Sequence, residues 1–217
     1  MRSAVDLATA SREKGVHDER LLAALARLPR VAFVPARSSF AAYRDEPVRI
    51  THGQVTTQPS LVATMVAALA LDGGEKVLEV GTGHGYQTAL LAKLAREVWS
   101  IELWSDMTEA ARRGLASQGI ANVRLVVGDG TLGLPHEAPF EAIVVAAAFP
   151  RVPQPLIDQL LPGGRLVQPI GPGGREDVWL FTKGPTGLVR SRLLTAAHFV
   201  PLYGEHGYRL EDAPAAP

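Results

Sequence analysis

The sequence predicts an α/β fold, a mostly parallel β-sheet with helices on both faces, entered through a helical and loop-rich N-terminal part. Three observations predict it. From Gly73 onward, short apolar runs of strand length alternate with segments of helical periodicity. The first of those strands runs into a glycine-rich turn, VLEVGTGHGYQ, that opens a helix. Two late runs, 178–183 and 188–194, succeed one another with no helix between them, as an antiparallel pair would.

Each element has its own grounds. Asp18 stands as N-cap to DERLLAALARL, where Leu21, Leu22, Leu25 and Leu28 recur at helical spacing. Pro29 follows that run, and VAFVP (31–35) reads as extended. A loop through Tyr43 to Ile50 leads to HGQVTTQPS (52–60). Pro59 sits where the first turn of a helix tolerates proline, and SLVATMVAALAL is that helix. KVLEV (76–80) is a strand, GYQTALLAKLA (85–95) a helix, and EVWSIEL (97–103) the next strand. SDMTEAARRGLASQG (105–119) is a helix ending in glycine. NVRLVVGD (122–129) and FEAIVVAAA (140–148) are strands, PQPLIDQLL (153–161) a short helix, and GRLVQPIG (164–171) a strand. EDAPAAP reads as a frayed tail. The expected division is an elaboration over 1–72, the sheet-based fold over 73–204 and a tail over 205–217.

Composition narrows the function. A chain of 217 residues is long enough for a full core without covalent staples. Twenty-two basic residues balance 22 acidic ones, which supplies no electrostatic reason for a nucleic-acid or anionic-membrane partner. No cysteine is present, which removes disulfides, thiolate nucleophiles and cysteine-ligated metals. The six histidines lack HExxH-type spacing, so no metal is expected. MRSAVDLATASREKG has no apolar core of signal-peptide length, and no run of about 18 apolar residues occurs. A cytoplasmic monomer is the expectation.

The glycine turn carries the strongest local signal. Glycines at 81, 83 and 85 let backbone N–H groups approach a ligand at the carboxyl end of the sheet. The spacing is G-x-G-x-G, not the G-x-G-x-x-G of dinucleotide sites, and Glu79 stands two residues upstream. A carboxylate there suits an ammonium group. Beside a pyrophosphate it would be repelled by about 1–4 kcal/mol per close charge pair. Glu102 ends the next strand, where an acid accepts hydrogen bonds from ribose hydroxyls, and Asp129 in VVGDG ends the third, placed for an adenine amino group. Amino acid, ribose and base at successive strand ends describe S-adenosylmethionine.

At these residues the chain resembles the protein-L-isoaspartate O-methyltransferase family. The likeness runs in order from about residue 15 to 204, through GVHDERLLAAL, LPRVAFVP, YRDEPVRI, HGQVTTQPSLVATM, KVLEVGTGHGYQTALLA, VWSIE, NVRLVVGDG, APFEAIVVAAA, VPQPLIDQLLPGGRLVQPIG and FVPLYG. GQxxxQP, upstream of the nucleotide fold, is its specific part. The resemblance implies a Rossmann-like class I S-adenosylmethionine-dependent methyltransferase with a seven-stranded sheet. It implies methylation of the α-carboxylate of L-isoaspartyl residues in damaged proteins and peptides, with repair through a succinimide and S-adenosylhomocysteine as product. It further implies that Glu79, Gly81, Gly83 and Gly85 hold the methionine part, Glu102 the ribose, and Asp129 with Gly130 the adenine. Gln54, Val55, Thr56, Thr57, Thr82, Leu103 and Gly128 complete the cofactor set, and Thr57, Ala147 and Val200 meet the substrate. Thr57 stands at the position of the family's usual serine, as the catalytic hydroxyl, and His84 replaces a serine of the glycine loop.

The chemistry suits so plain a loop. A carboxylate nucleophile, with ordinary pKa about 3.9, is ionised at pH 7 and needs no general base. Alignment is the main requirement, and it can supply about 7–11 kcal/mol. Thr57 also fits as N-cap of the helix that follows. Two other readings of the site stay open from the sequence: a methyltransferase for another carboxylate or small molecule, and a cofactor-binding module without catalysis.

Overall fold

The computed structural model describes residues 2–172 and 174–211, so the tail beyond residue 211 lies outside the described residues. Two helices open the chain, α1 (Ala4–Glu13) and α2 (Glu19–Arg27). The sequence reading did not assign α1, although Asp6 marks its first turn by accepting hydrogen bonds from the Ser3 N–H and hydroxyl. Asp18 caps α2, accepting from the N–H groups of Arg20 and Leu21. VAFVP is not extended: Arg30–Phe33 form a 3₁₀ turn. At i, i+3 spacing the side chains of such a turn eclipse, which sends both Arg30 and Phe33 inward. A second 3₁₀ turn (Ala36–Ala41) leads to a short hairpin, β1 (Val48–Arg49) with β2 (Val55–Thr56), and then to α3 (Pro59–Ala68).

The sheet follows: β3 (Lys76–Val80), β4 (Glu97–Glu102), β5 (Val123–Val127), β6 (Phe140–Val145), β7 (Leu160–Ile170), β8 (Glu176–Gly184) and β9 (Gly187–Ala197). Its order is β5-β4-β3-β6-β7-β8-β9. The first five pair in parallel, and β8 is antiparallel to both neighbours, as the uninterrupted pair of late strands predicts. Helices α4 (Tyr86–Leu94) and α5 (Ser105–Ser117) follow β3 and β4, and α6 (Gln154–Gln159) precedes β7.

Strand periodicity builds two cores. Val77 of β3 faces α2, α3 and α4 in one apolar cluster, which also contains Leu21, Met65 and Leu90. Leu78 and Val80 face the other way, toward Leu156 of α6 and Leu202 of the C-terminal segment. The helices of the N-terminal part therefore share their core with the sheet. Arg165, on β7, pairs with Glu75 at 3.2 Å and donates to the Leu69 carbonyl.

Candidate active site

The parallel order reverses on either side of β3, and a cleft opens at that switch point, above the carboxyl ends of β3, β4 and β6. It encloses about 860 Å³ of empty space, open solvent included. The glycine turn forms its floor through Gly81, Thr82, Gly83 and Gly85. Gly85 sits at φ +90°, and a Cβ there would stand 3.0 Å from Ala111 Cβ, so this turn tolerates no side chain where it enters α4. One wall holds Glu102, Leu103 and Gly130. The opposite wall holds Ala147 and the segment Val200–Tyr203. The β1–β2 hairpin and the residues after it bring Gln54, Val55, Thr56 and Thr57 over the top.

Glu102 is buried at the cavity wall. Its Oε2 accepts from the Gly83 N–H at 2.8 Å and its Oε1 from the Trp104 N–H at 3.1 Å. Each oxygen keeps acceptor capacity for a further donor. Burial pushes its pKa up, the N–H groups of Gly83, Trp104 and Leu103 pull it down, and neighbouring Asp106 pushes it up again.

Three expected site residues do not line the cleft: Glu79, Gly128 and Asp129. The Glu79 carboxylate is engaged by the protein itself. Strand alternation turns Glu79 to the α4 side, fully buried beneath the glycine turn. Its Oε1 accepts from Gln87 Nε2 at 3.0 Å. Its Oε2 accepts from the Thr88 hydroxyl and from Ser100 Oγ at 2.6 Å, Ser100 being its register partner on β4. Ser100 bonds on to Thr82, so the carboxylate ties the glycine turn to α4 and β4.

Burial raises the Glu79 pKa from its ordinary 4.5 to about 7, against the pull of Ser100, Thr88 and Gln87 and with a push from Glu102. Below about pH 4.5 the group is protonated both folded and unfolded, and ionisation costs nothing. Between pH 4.5 and 7 only the native state holds the proton, so stability falls as pH rises, by about 3 kcal/mol in all, and is level above. Denaturant unfolding from pH 4.5 to 8 is expected to show this decline in the parent and a flatter profile in Glu79→Gln. Equal slopes in the two proteins would assign the decline to another group.

The loop above the cleft hangs on Arg30. Its guanidinium is wholly buried and donates to the carbonyls of Ala42, Arg44, Glu46 and Thr57 and to Thr56 Oγ1, the last at 2.8 Å. It also stands 5.5 Å from the centre of the Tyr86 ring. Burial lowers its pKa to about 10, opposed by Tyr86 and Asp45, so it stays protonated at neutral pH. The cap of α3 comes from Asp45, which accepts from the Ser60 N–H at 2.8 Å, from Ser60 Oγ and from Gln58 Nε2. Thr57 does not cap that helix. Among the described residues its hydroxyl has no hydrogen-bond partner, and it lines the cavity. The hairpin turn is clasped from outside: His52 stacks on Trp104 at 4.0 Å and meets Asp106 Oδ1 at 2.9 Å.

Further lining residues were not assigned from the sequence, among them Ile50, Tyr86, Trp104, Met107 and Tyr203. No spacing marks them, because loops and the first turns of α4 and α5, distant in the chain, bring them together. His84, which replaces a serine of the glycine loop, also lines the cleft, and burial lowers its pKa. Among the described residues no lysine or arginine lines the cavity, and Glu102 is its one carboxylate.

Comparison with known proteins agrees with this arrangement. A family model described as Protein-L-isoaspartate(D-aspartate) O-methyltransferase matches residues 2–207. The protein-L-isoaspartate O-methyltransferase of Methanoculleus marisnigri is 48% identical over 203 residues, 94% of this chain and 92% of that protein. Its counterpart in Anaeromyxobacter dehalogenans (strain 2CP-C) is 50% identical over 190 residues, 87% of this chain and 91% of that one. A solved protein-L-isoaspartate O-methyltransferase superposes with a TM-score of 0.82 at 30% identity, over 93% of this chain and 66% of its own.

Proposed function

The chain belongs to the protein-L-isoaspartate O-methyltransferase family, and from that premise we propose how its cleft divides the work of methyl transfer. It is an S-adenosylmethionine-dependent enzyme that methylates the α-carboxylate of L-isoaspartyl residues in damaged proteins and peptides, which starts repair through a succinimide.

The cavity fits the cofactor on its own chemistry. One carboxylate and no lysine or arginine among the described lining residues favour a cationic nucleoside over a phosphorylated one. S-adenosylmethionine supplies an electrophilic methyl on a sulfonium. The floor of Gly81, Thr82, Gly83 and Gly85 would hold its amino acid end, with Glu79 bracing that floor from below. Glu102 and Leu103 would hold the ribose and Gly130 the base. Gln54, Val55 and Thr56 close the top.

Thr57 is assigned the catalytic role. Its hydroxyl, unpartnered among the described residues, would donate to one oxygen of the isoaspartyl carboxylate and leave the other free to attack. Ala147 and Val200, on the facing wall, would line the substrate side. The step destroys charge, so a cleft closed over by the hairpin favours it. The elaboration over 1–72 thus supplies the roof and the catalytic hydroxyl, and the fold over 73–204 supplies the floor and both walls. Balanced charge supports a protein substrate over nucleic acid, and a monomer in the cytoplasm belongs to the same reading. No helix among the described residues is long and apolar enough to cross a membrane.

The carrying observation is that Thr57, whose hydroxyl has no hydrogen-bond partner among the described residues, lines the same cavity as Glu102. The test is labelled methyl transfer to paired peptides that differ only in one isoaspartyl or aspartyl linkage. Label is expected on the isoaspartyl member alone. Equal labelling of both, or of neither, would overturn the proposal.

A further inference from the structure

We propose that His52, Trp104 and Asp106 form a latch that holds the tip of the β1–β2 hairpin down on the cleft, and that its opening sets the rate at which S-adenosylhomocysteine leaves. The inference rests on the cofactor site proposed above and adds the way that site opens.

The hairpin is held differently at its two ends. At its base the buried Arg30 guanidinium ties the incoming and outgoing chain together, donating to the Glu46 carbonyl on one side and to Thr56 Oγ1 and the Thr57 carbonyl on the other. At its tip the chain closes on itself: the Ile50 N–H donates to the Gln54 carbonyl at 2.9 Å and the Gln54 N–H to the Thr51 carbonyl at 3.0 Å. Among the described residues, the one hydrogen bond from 50–54 to the rest of the protein joins His52 Nε2 to Asp106 Oδ1 at 2.9 Å. The His52 ring also lies flat on Trp104, with 4.0 Å between ring centres and 7° between planes. His52 takes a φ of +54°, a left-handed conformation that a residue with a side chain keeps where its contacts hold it.

Both partners of His52 belong to the wall that carries Glu102. Trp104 lines the cavity, and its N–H donates to Glu102 Oε1 at 3.1 Å. Its carbonyl accepts from the Thr108 N–H at 3.1 Å, which fixes it to the start of α5, and Asp106 stands in the first turn of that helix. Ile50 and Gln54, on either side of His52, line the cavity as well. His52 therefore joins roof to wall, and parting it from Trp104 and Asp106 lifts the tip from the cleft.

The two ends also differ in strength. The side chains of His52 and Asp106 are 34% and 56% exposed, and a pair so open to water is weak. Arg30 is wholly buried. The hairpin yields first at its tip and hinges on a base that keeps Thr57 in place. Opening of such a lid commonly governs the departure of product.

The experiment compares His52→Asn and Asp106→Ala with the parent. Asparagine tolerates the left-handed backbone and has no ring to stack, whereas Asp106→Ala removes the acceptor from the wall side and leaves His52 and Trp104 unaltered. Arg12→Ala, which breaks an exposed ion pair with Glu19 outside the cleft, is the control. Three readouts are taken: the dissociation rate of S-adenosylhomocysteine by stopped-flow tryptophan fluorescence, KM for an isoaspartyl peptide, and amide hydrogen exchange at Ile50 and Gln54. His52→Asn is expected to speed dissociation about tenfold and Asp106→Ala about threefold. Both should speed exchange at the two amides and leave peptide KM within twofold of the parent, with Arg12→Ala parental throughout. A dissociation rate unchanged in both variants would overturn the latch. Faster dissociation with unchanged exchange at Ile50 and Gln54 would overturn it too, because the tip would not have moved. A parent that binds no S-adenosylhomocysteine would instead defeat the cofactor reading, and the exchange rates alone then decide whether His52 holds the tip.

Discussion

Thr57→Val is expected to lower kcat about 10²–10³-fold, the loss typical when a single donor to a reacting oxygen is removed, about 2.7–4 kcal/mol. Valine matches threonine in shape and lacks only the hydroxyl. That hydroxyl has no other partner among the described residues, and α3 takes its cap from Asp45, so its loss uncaps nothing. The backbone carbonyl of Thr57, which Arg30 holds at 3.2 Å, is untouched. Stability and S-adenosylhomocysteine affinity should therefore stay within about twofold of the parent. Thr57→Ser keeps the donor, frees the side chain from the χ1 restriction of a β-branched residue, and is expected to retain at least parental turnover. Steady-state kinetics on an isoaspartyl peptide, with calorimetry for the cofactor product, checks all of this. A valine variant with parental kcat would take Thr57 out of the chemistry.

Arg30→Met should be the most damaging substitution for stability, at about 3–5 kcal/mol, the range observed when one member of a buried charged network is removed. Methionine keeps much of the apolar bulk but leaves the carbonyls of Ala42, Arg44, Glu46 and Thr57 and the Thr56 hydroxyl without their shared donor. A buried acceptor stripped of its donor costs about 1–3 kcal/mol, and several are stripped at once. The loop they belong to is also the roof of the cleft, so kcat should fall with stability. Arg30→Lys keeps the charge but has three donors on one atom and no planar fork, and it should recover only part of the loss. Urea unfolding at neutral pH measures the effect. A change below about 1 kcal/mol for Arg30→Met would mean that the loop is held by its other contacts.

The two residues differ in how far the sequence exposed them. Thr57 was visible because HGQVTTQPS is a distinctive polar stretch ahead of a proline-started helix, and its similarity to GQxxxQP singles out one hydroxyl. Arg30 sits in LPRVAFVP, where nothing local separates a buried guanidinium from a solvated one. Its partners lie 12 to 27 residues downstream and are mostly backbone carbonyls, which carry no residue signature. The same separation explains Glu79 and Asp129. Their places at the ends of β3 and β5 were legible from the strand pattern. Whether each carboxylate looks into the cleft or away from it was not: Glu79 turned under the floor to meet Ser100, its register partner, and Asp129 turned to the C-terminal turn.

Hydrophobic periodicity, glycine spacing and proline placement act over a few residues. By themselves they determined the strand and helix order from Gly73 onward, the parallel sheet with its antiparallel end, the G-x-G-x-G turn and the strand end that carries Glu102. Only the tertiary structure decided which polar groups are spent on the protein itself and which remain free in the cavity. Each carboxylate or hydroxyl there has several donors or acceptors within reach of its strand end, and the choice among them is made by segments distant in the chain, whose packing no local pattern records.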